Sequence, residues 1–169
     1  MANSDDRFDA VQLIERQHQQ VRDLFVRLDG AKGRARKRVF DELATLLVIH
    51  LELEERLFYP ELRRGPLAER VLRAAEEHLS VRRVLADLLD LELADETWKP
   101  KLQVMREQLE LHLDEEEREI LPRVRRELGR EGLAALGQEM LALQISIEES
   151  AEGAPLDLVL DETERPAPA

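Results

Sequence analysis

The 169-residue chain has no cysteine, which excludes a disulfide framework, a thiolate metal site, an iron–sulfur cluster and a cysteine nucleophile. Aromatics make up only 4 % of it, and glycine and proline number seven each. Breaks are therefore sparse, and the abundance of Leu, Glu, Arg and Ala points to helices. A long apolar run is also missing. The longest, Ala44 to Ile49, carries Thr45 inside it, whereas a bilayer span takes about 20 apolar residues. The first residues, Met-Ala-Asn-Ser-Asp-Asp-Arg, are polar and acidic, unlike a secretory signal. A cytoplasmic protein without a membrane partner is the expectation. Positive charge is short as well: 25 Lys and Arg against 37 Asp and Glu leave a net −12. That sign is wrong for a nucleic-acid partner.

The negative charge is unevenly spread. Residues 148–169 hold seven acids and one base, and the other 147 residues hold 30 acids and 24 bases, so each part contributes −6. We expect one folded unit over residues 1–150. An acidic, proline-bearing tail over 151–169 is expected to be disordered. The competing reading is that Leu156, Leu158, Val159 and Leu160 dock as a short extended segment.

Apolar residues recur at alternating steps of three and four, the helical period. The seams are Val11, Ile14, His18, Val21, Phe25, Leu28; then Val39, Leu43, Leu46, His50, Glu54, Leu57. They continue as Val71, Ala74, His78, Val81, Leu85, Leu88; then Leu102, Met105, Leu109, His112, Glu116; and finally Leu133, Leu136, Met140, Leu143, Ile147. Helices are expected near 7–29, 34–63, 66–90, 96–128 and 131–149, with no sheet. Gly30 and Gly33, Gly65-Pro66, Asp95 or Thr97 ahead of Pro100, and Gly129 with Gly132 punctuate them. Short connections between amphipathic helices favour an all-α, antiparallel up-down-up-down four-helix bundle. The fifth, C-terminal helix then packs outside it or contacts another copy or a protein partner.

The chain also repeats itself. Residues 50–60 read His-Leu-Glu-Leu-Glu-Glu-Arg-Leu-Phe-Tyr-Pro and residues 112–122 read His-Leu-Asp-Glu-Glu-Glu-Arg-Glu-Ile-Leu-Pro, sharing H-L-x-x-E-E-R-x-x-x-P. Upstream, His18-Gln-Gln-Val-Arg matches His78-Leu-Ser-Val-Arg. Two copies of a helix pair, each written H…HxxxE, make a pseudo-twofold bundle with a half-site per pair. Residues four apart on a helix sit about 6 Å apart along the axis and leave the same face. His50 with Glu54, and His112 with Glu116, can thus each offer a nitrogen and an oxygen to one ion. All four histidines fall on seams, an outcome below about one in a hundred if each had roughly two chances in seven. Glutamates at buried seam positions are rare unless paired or metal-bound. His18, His50, His78, His112, Glu54 and Glu116 form an N₄O₂ set, too large for one structural zinc. Two ions bridged by Glu54 and Glu116 would use all six and keep open positions. Imidazole plus carboxylate suits iron, with manganese and zinc as competitors.

The arrangement H-HxxxE-H-HxxxE over four helices, with Phe58-Tyr59-Pro60 closing the second, resembles the hemerythrin-like, or HHE cation-binding, domain over roughly residues 8–128. The resemblance implies a non-haem di-iron centre, oxo- or hydroxo-bridged, in a four-helix bundle. It implies His18, His50, His78 and His112 as terminal ligands, the first two on one iron and the last two on the other. Glu54 and Glu116 become the bridging carboxylates. Oxygen-carrying members have a further histidine one turn before the third-helix ligand, where this chain has Ala74. Their fourth-helix motif ends in Asp five residues after the histidine, where this chain has Glu116 at four and Glu117 next. The expectation therefore moves from reversible oxygen carriage to binding, sensing or reacting with a small oxidant: oxygen, peroxide or nitric oxide. Peroxide or nitric oxide consumption is the activity in view. The alternative is a module that holds iron or another divalent cation for storage, delivery or sensing without catalysis.

Blander readings apply to the neighbours. Tyr59 reads as core or supporting packing, because five helical steps from Glu54 reach a different face. Glu55, Glu77 and Glu117 read as solvated surface more readily than as hydrogen-bond partners of the imidazoles. The basic run Lys32 to Arg38 reads as a solvated helix start, and Met105 and Met140 read as core.

Overall fold

A computed structural model describes residues 9–151. The expected helix start at residue 7, and the expected tail beyond Ala151, lie outside the described residues. α1 spans Ala10–Gly30. It begins with a capping box: Asp9 Oδ1 accepts from the Gln12 N–H at 2.8 Å, and Gln12 Oε1 accepts from the Asp9 N–H at 3.1 Å. Two orphan amide groups are thereby satisfied, a stabilisation of about 1 kcal/mol. The turn into α2 (Gly33–Leu53) uses Gly33 at φ +51°, a left-handed conformation suited to glycine.

The second helical rod does not stop at Leu53. A widened π-helical turn, Glu54–Phe58, carries it into α3, Tyr59–Leu62. Pro60 is the physical reason. Its ring would strike the carbonyl four residues back, and it has no N–H to donate. Shifting one turn to an i→i+5 bond, from the Tyr59 N–H to the Glu54 carbonyl, absorbs the misfit. The repeat does the same in the second half. A π-helical turn, Glu116–Ile120, precedes Pro122, and the Leu121 N–H bonds to the Glu116 carbonyl.

α4 covers Ala68–Asp90, two residues later than expected from Gly65-Pro66, because the Ala68 N–H first closes a turn onto the Gly65 carbonyl at 3.1 Å. α5 covers Trp98–Glu115. Asp95 caps no helix; its carboxylate accepts from both the N–H and the hydroxyl of Thr97 and so sets the turn before α5. α6 covers Leu121–Ala151 but breaks at Gly129, where φ +63° and ψ 179° leave the helical region. Its first part finishes the fourth bundle rod, and its second part is the expected fifth helix.

Paired residues show that neighbouring rods run in opposite senses. Arg27 meets Glu42 and Gln17 meets His50 between α1 and α2; Lys101 meets Asp87 and Ser80 meets Gln108 between α4 and α5. The fold is all-α, with no strand among the described residues. The fifth helix seats Leu133, Leu136 and Met140 with Ala10, Val11 and Ile14 of α1 and with Ile49 and Leu53 of α2. A second cluster fills the other end, around Phe25, Phe40, Leu47, Leu85, Trp98 and Met105. The four histidines lie between the two clusters along every rod. No described helix is long and apolar enough to cross a membrane.

Candidate metal centre

Six polar side chains occupy the layer between the apolar clusters. His18, His50, His78 and Glu54 are 0 % exposed, Glu116 is 1 % and His112 is 3 %. These are the six residues singled out from the repeat, and the fold brings all six together. Glu54 Oε2 lies 3.4 Å from His50 Nε2 and 3.2 Å from His78 Nε2. Glu116 Oε2 lies 3.3 Å from His18 Nε2 and 3.6 Å from His112 Nε2. Each carboxylate therefore faces one imidazole from each half. His78 Nε2 and His112 Nε2 are 3.0 Å apart, and the His18 and His50 rings meet edge to face at 5.1 Å.

Two donor groups result. One atom each from His18, His50, Glu54 and Glu116 lie within 4.8 Å of one another, and so do atoms from Glu54, His78 and His112. Glu54 belongs to both groups. His18 Nε2, His50 Nε2, Glu54 Oε1 and Glu116 Oε2 are buried without a hydrogen-bond partner. A buried polar atom left unsatisfied costs about 1–3 kcal/mol, and native structures avoid it. Four such atoms at one layer, all of them lone-pair donors, fit a cation.

The outward nitrogens explain why the inward ones are bare. His18 Nδ1 is 2.9 Å from Glu117, His78 Nδ1 is 2.8 Å from Glu55, and His112 Nδ1 is 2.8 Å from Glu77. His50 Nδ1 is 3.0 Å from Gln17 Oε1. A proton held on Nδ1 by these acceptors leaves the Nε2 lone pair facing inward, which is how a metal-binding imidazole is oriented. Glu55, Glu77 and Glu117 are thus not merely solvated surface. The matched arginines of the repeat hold two of them in turn: Arg22 donates to Glu117 at 2.8 Å, and Arg82 sits 3.3 Å from Glu55. The pattern crosses between halves, since the glutamate after each seam glutamate anchors the first histidine of the other half.

Tyr59 also enters the layer. Its hydroxyl donates to Glu116 Oε1 at 2.7 Å and lies 3.2 Å from both Glu54 Oε2 and His78 Nε2. The widened turn is the reason. With the Tyr59 N–H bonded to the Glu54 carbonyl, the turn rotates less per residue and brings Tyr59 back toward the face of Glu54, where an α-helix would have carried it away. Its repeat partner is Leu121, buried and apolar.

The electrostatics of the layer pull in opposite directions. Burial pushes the Glu54 carboxyl well above its ordinary value, and the neighbouring Glu116 adds to this. Burial would also raise Glu116, but His112 and His18 outweigh it and hold Glu116 ionised. Burial and nearby imidazoles keep His50 and His78 neutral to well below the usual histidine value. Burial acts on His18 in the same direction, yet Glu116 and Glu117 reverse it and raise that imidazole. Burial and Glu116 lift the Tyr59 phenol well above its usual value. The hydrogen bond from His18, helped by Arg22, holds Glu117 at about 2.

A narrow cleft of about 10 Å³ reaches the layer beside Ala74, lined in part by Glu77, His112, Glu116 and Ile120. That is room for about one water.

Residues 9–124 match the model of the hemerythrin HHE cation binding domain. The fold is similar to the crystal structure of a hemerythrin HHE cation binding domain-containing protein from Mycobacterium kansasii. The two are 26 % identical with a TM-score of 0.78, over 90 % of this chain and 98 % of that one. A comparison with curated proteins finds no match.

Proposed function

The chain belongs to the hemerythrin HHE cation-binding domain family, and on that premise we propose that it is a non-haem di-iron protein that binds, senses or reacts with a small oxidant. The observation that carries this reading is the convergence of unpartnered imidazole nitrogens and carboxylate oxygens in one buried layer. In it, His18 and His50 would hold one iron and His78 and His112 the other, with Glu54 and Glu116 supplying the carboxylate oxygens. The Tyr59 hydroxyl, close to His78 and Glu54, would be a further donor beside His78. Nitrogen and oxygen donors without sulfur favour iron over a soft metal.

Iron in such a site supplies electron transfer to a small oxidant. The chain supplies the rest. The Nδ1 anchors fix the imidazoles before metal arrives. The apolar clusters above and below exclude bulk water. The cleft beside Ala74, with room for about one water, keeps anything larger than a small oxidant away from the layer. The near-complete burial of the six residues argues for a resident cofactor rather than a cation held for delivery.

Metal analysis and ultraviolet–visible spectra of the purified protein test this. About two irons per chain, with a charge-transfer absorption that changes when peroxide or nitric oxide meets the reduced protein, are expected. One zinc, or no metal after anaerobic preparation, would remove the di-iron assignment. Two irons indifferent to oxygen, peroxide and nitric oxide would leave a cation-binding module.

A further inference from the structure

The Nδ1 anchors obey the pseudo-twofold repeat at every position but one. The residue before each first histidine serves the HxxxE histidine of the same half: Gln17, before His18, bonds His50, and Glu77, before His78, bonds His112. Three imidazoles therefore rest on carboxylates, and His50 alone rests on a neutral amide.

The fold explains the exception. Gln17 is only 2 % exposed, because the second part of α6 covers that side of α1 and α2. The equivalent side of α4 and α5 has no such cover, and the Glu77 side chain keeps 38 % exposure. A carboxylate in the covered position would be buried with no cation beside it among its described contacts, a costly arrangement. An amide can be satisfied there on both sides. Gln17 Oε1 accepts from His50, and Gln17 Nε2 donates to Gln144 Oε1 at 3.4 Å. Gln144 Nε2 donates to Glu148 at 2.8 Å. A chain of hydrogen bonds thus runs from His50 to a carboxylate on the fifth helix, two amides removed from the imidazole.

We propose that Gln17 is a positioning residue, held by Gln144 of the fifth helix, that makes His50 the weakest imidazole donor of the four and so renders the two metal positions unequal. The inference rests on the metal-binding reading above. An anionic partner on Nδ1 raises the basicity of a ligating imidazole, and an amide does so less. The metal held by His18 and His50 is then the more weakly bound of the two.

Stepwise addition of cobalt(II) to the metal-free full-length chain, followed by its visible absorption, tests this. The wild type should fill in two unequal steps. Gln17→Glu should strengthen the weaker step by about tenfold, the lower end of the usual effect of such partners, and bring the steps together. Gln144→Leu should weaken only that step. Gln144→Glu, which keeps an acceptor for Gln17 Nε2 but loses the donor to Glu148, should weaken that step less than Gln144→Leu. Gln144 is half-buried on the outer helix, so its variants remain informative if Gln17→Glu does not fold. A purely structural role would move the melting temperature and leave the ratio of the steps alone. Unchanged steps in folded Gln17→Glu and Gln144→Leu would overturn the inference while leaving the metal reading intact. A wild-type chain that takes up no cobalt would overturn both.

Discussion

The two halves of the bundle carry the same H…HxxxE spelling, yet they do not build the same half-site. The first half contributes Tyr59 where the second has Leu121, and Gln17 where the second has Glu77. The tyrosine leans across the layer to His78 and Glu116, so a residue of the first half enriches the second site. The glutamine withholds a carboxylate from its own half. Both differences move donor strength in one direction, toward His78 and His112. Duplication supplies the frame, and two departures from it would give two bound metals separate characters.

The largest test removes the shared carboxylates. Glu54 stands in both donor groups and Glu116 in one. Glu54→Ala should therefore lose both metals, and Glu116→Ala should lose the His18/His50 metal first. Elemental analysis of the two purified variants checks the ranking, and equal losses would erase the proposed inequality between the carboxylates.

Next in size is Tyr59→Phe. It removes the hydroxyl that sits among Glu54, His78 and Glu116 and keeps the buried ring. Metal content should hold, while the visible charge-transfer absorption of the iron-loaded protein should shift or disappear. An unchanged spectrum would demote Tyr59 to packing and restore symmetry between the halves.

Glu77→Gln makes the second half resemble the first at the anchoring position. A loss of about tenfold in metal affinity at the His78/His112 position is expected, read by cobalt(II) titration. A swap with Gln17→Glu should exchange the order of the two filling steps.

The smallest effect is in acid. The Glu117 carboxyl is lower in the fold than in the unfolded chain, at about 2 against 4.5. Its contribution to the stability of the metal-free protein is therefore full above about pH 4.5 and disappears as pH falls toward 2. Glu54 has the opposite sign. Its folded value is raised, so it favours the fold while protonated and costs stability as pH rises above its ordinary range. Urea melts across pH 2–5 should show a flatter profile for Glu117→Gln than for the wild type. Parallel profiles would mean that Arg22 and His18 do not hold this carboxylate.

Much of this is legible in the sequence. Heptad-like seams place helices well, and a histidine or glutamate on an apolar seam is conspicuous, so the five helices and six buried residues could be read from spacing alone. The position of Tyr59 escapes a helical wheel for a geometric reason. An α-helix turns about 100° per residue, and on that wheel Tyr59 leaves the seam. The π-helical turns rotate less per residue and return Tyr59 to the face of Glu54. The signals were present in Pro60 and Pro122, each six residues after its seam glutamate. Glu55, Glu77, Glu117 and Gln17 are hidden for another reason. A side chain flanking a seam reads as solvent-facing until the neighbouring rod is known to present an imidazole edge to it.

The layer that divides the apolar interior has a consequence for how the molecule opens. Two separate clusters joined by charged and imidazole groups are two candidate cooperative units, which native-state hydrogen exchange can resolve. Ligands that bind only the folded form stabilise whatever they touch, and the six candidate ligands of this layer come from all four rods. Loading the centre should fuse the two units, so that amides around Trp98 and amides around Met140 exchange through a single opening. Occupancy would then be written into the unfolding behaviour of the whole bundle.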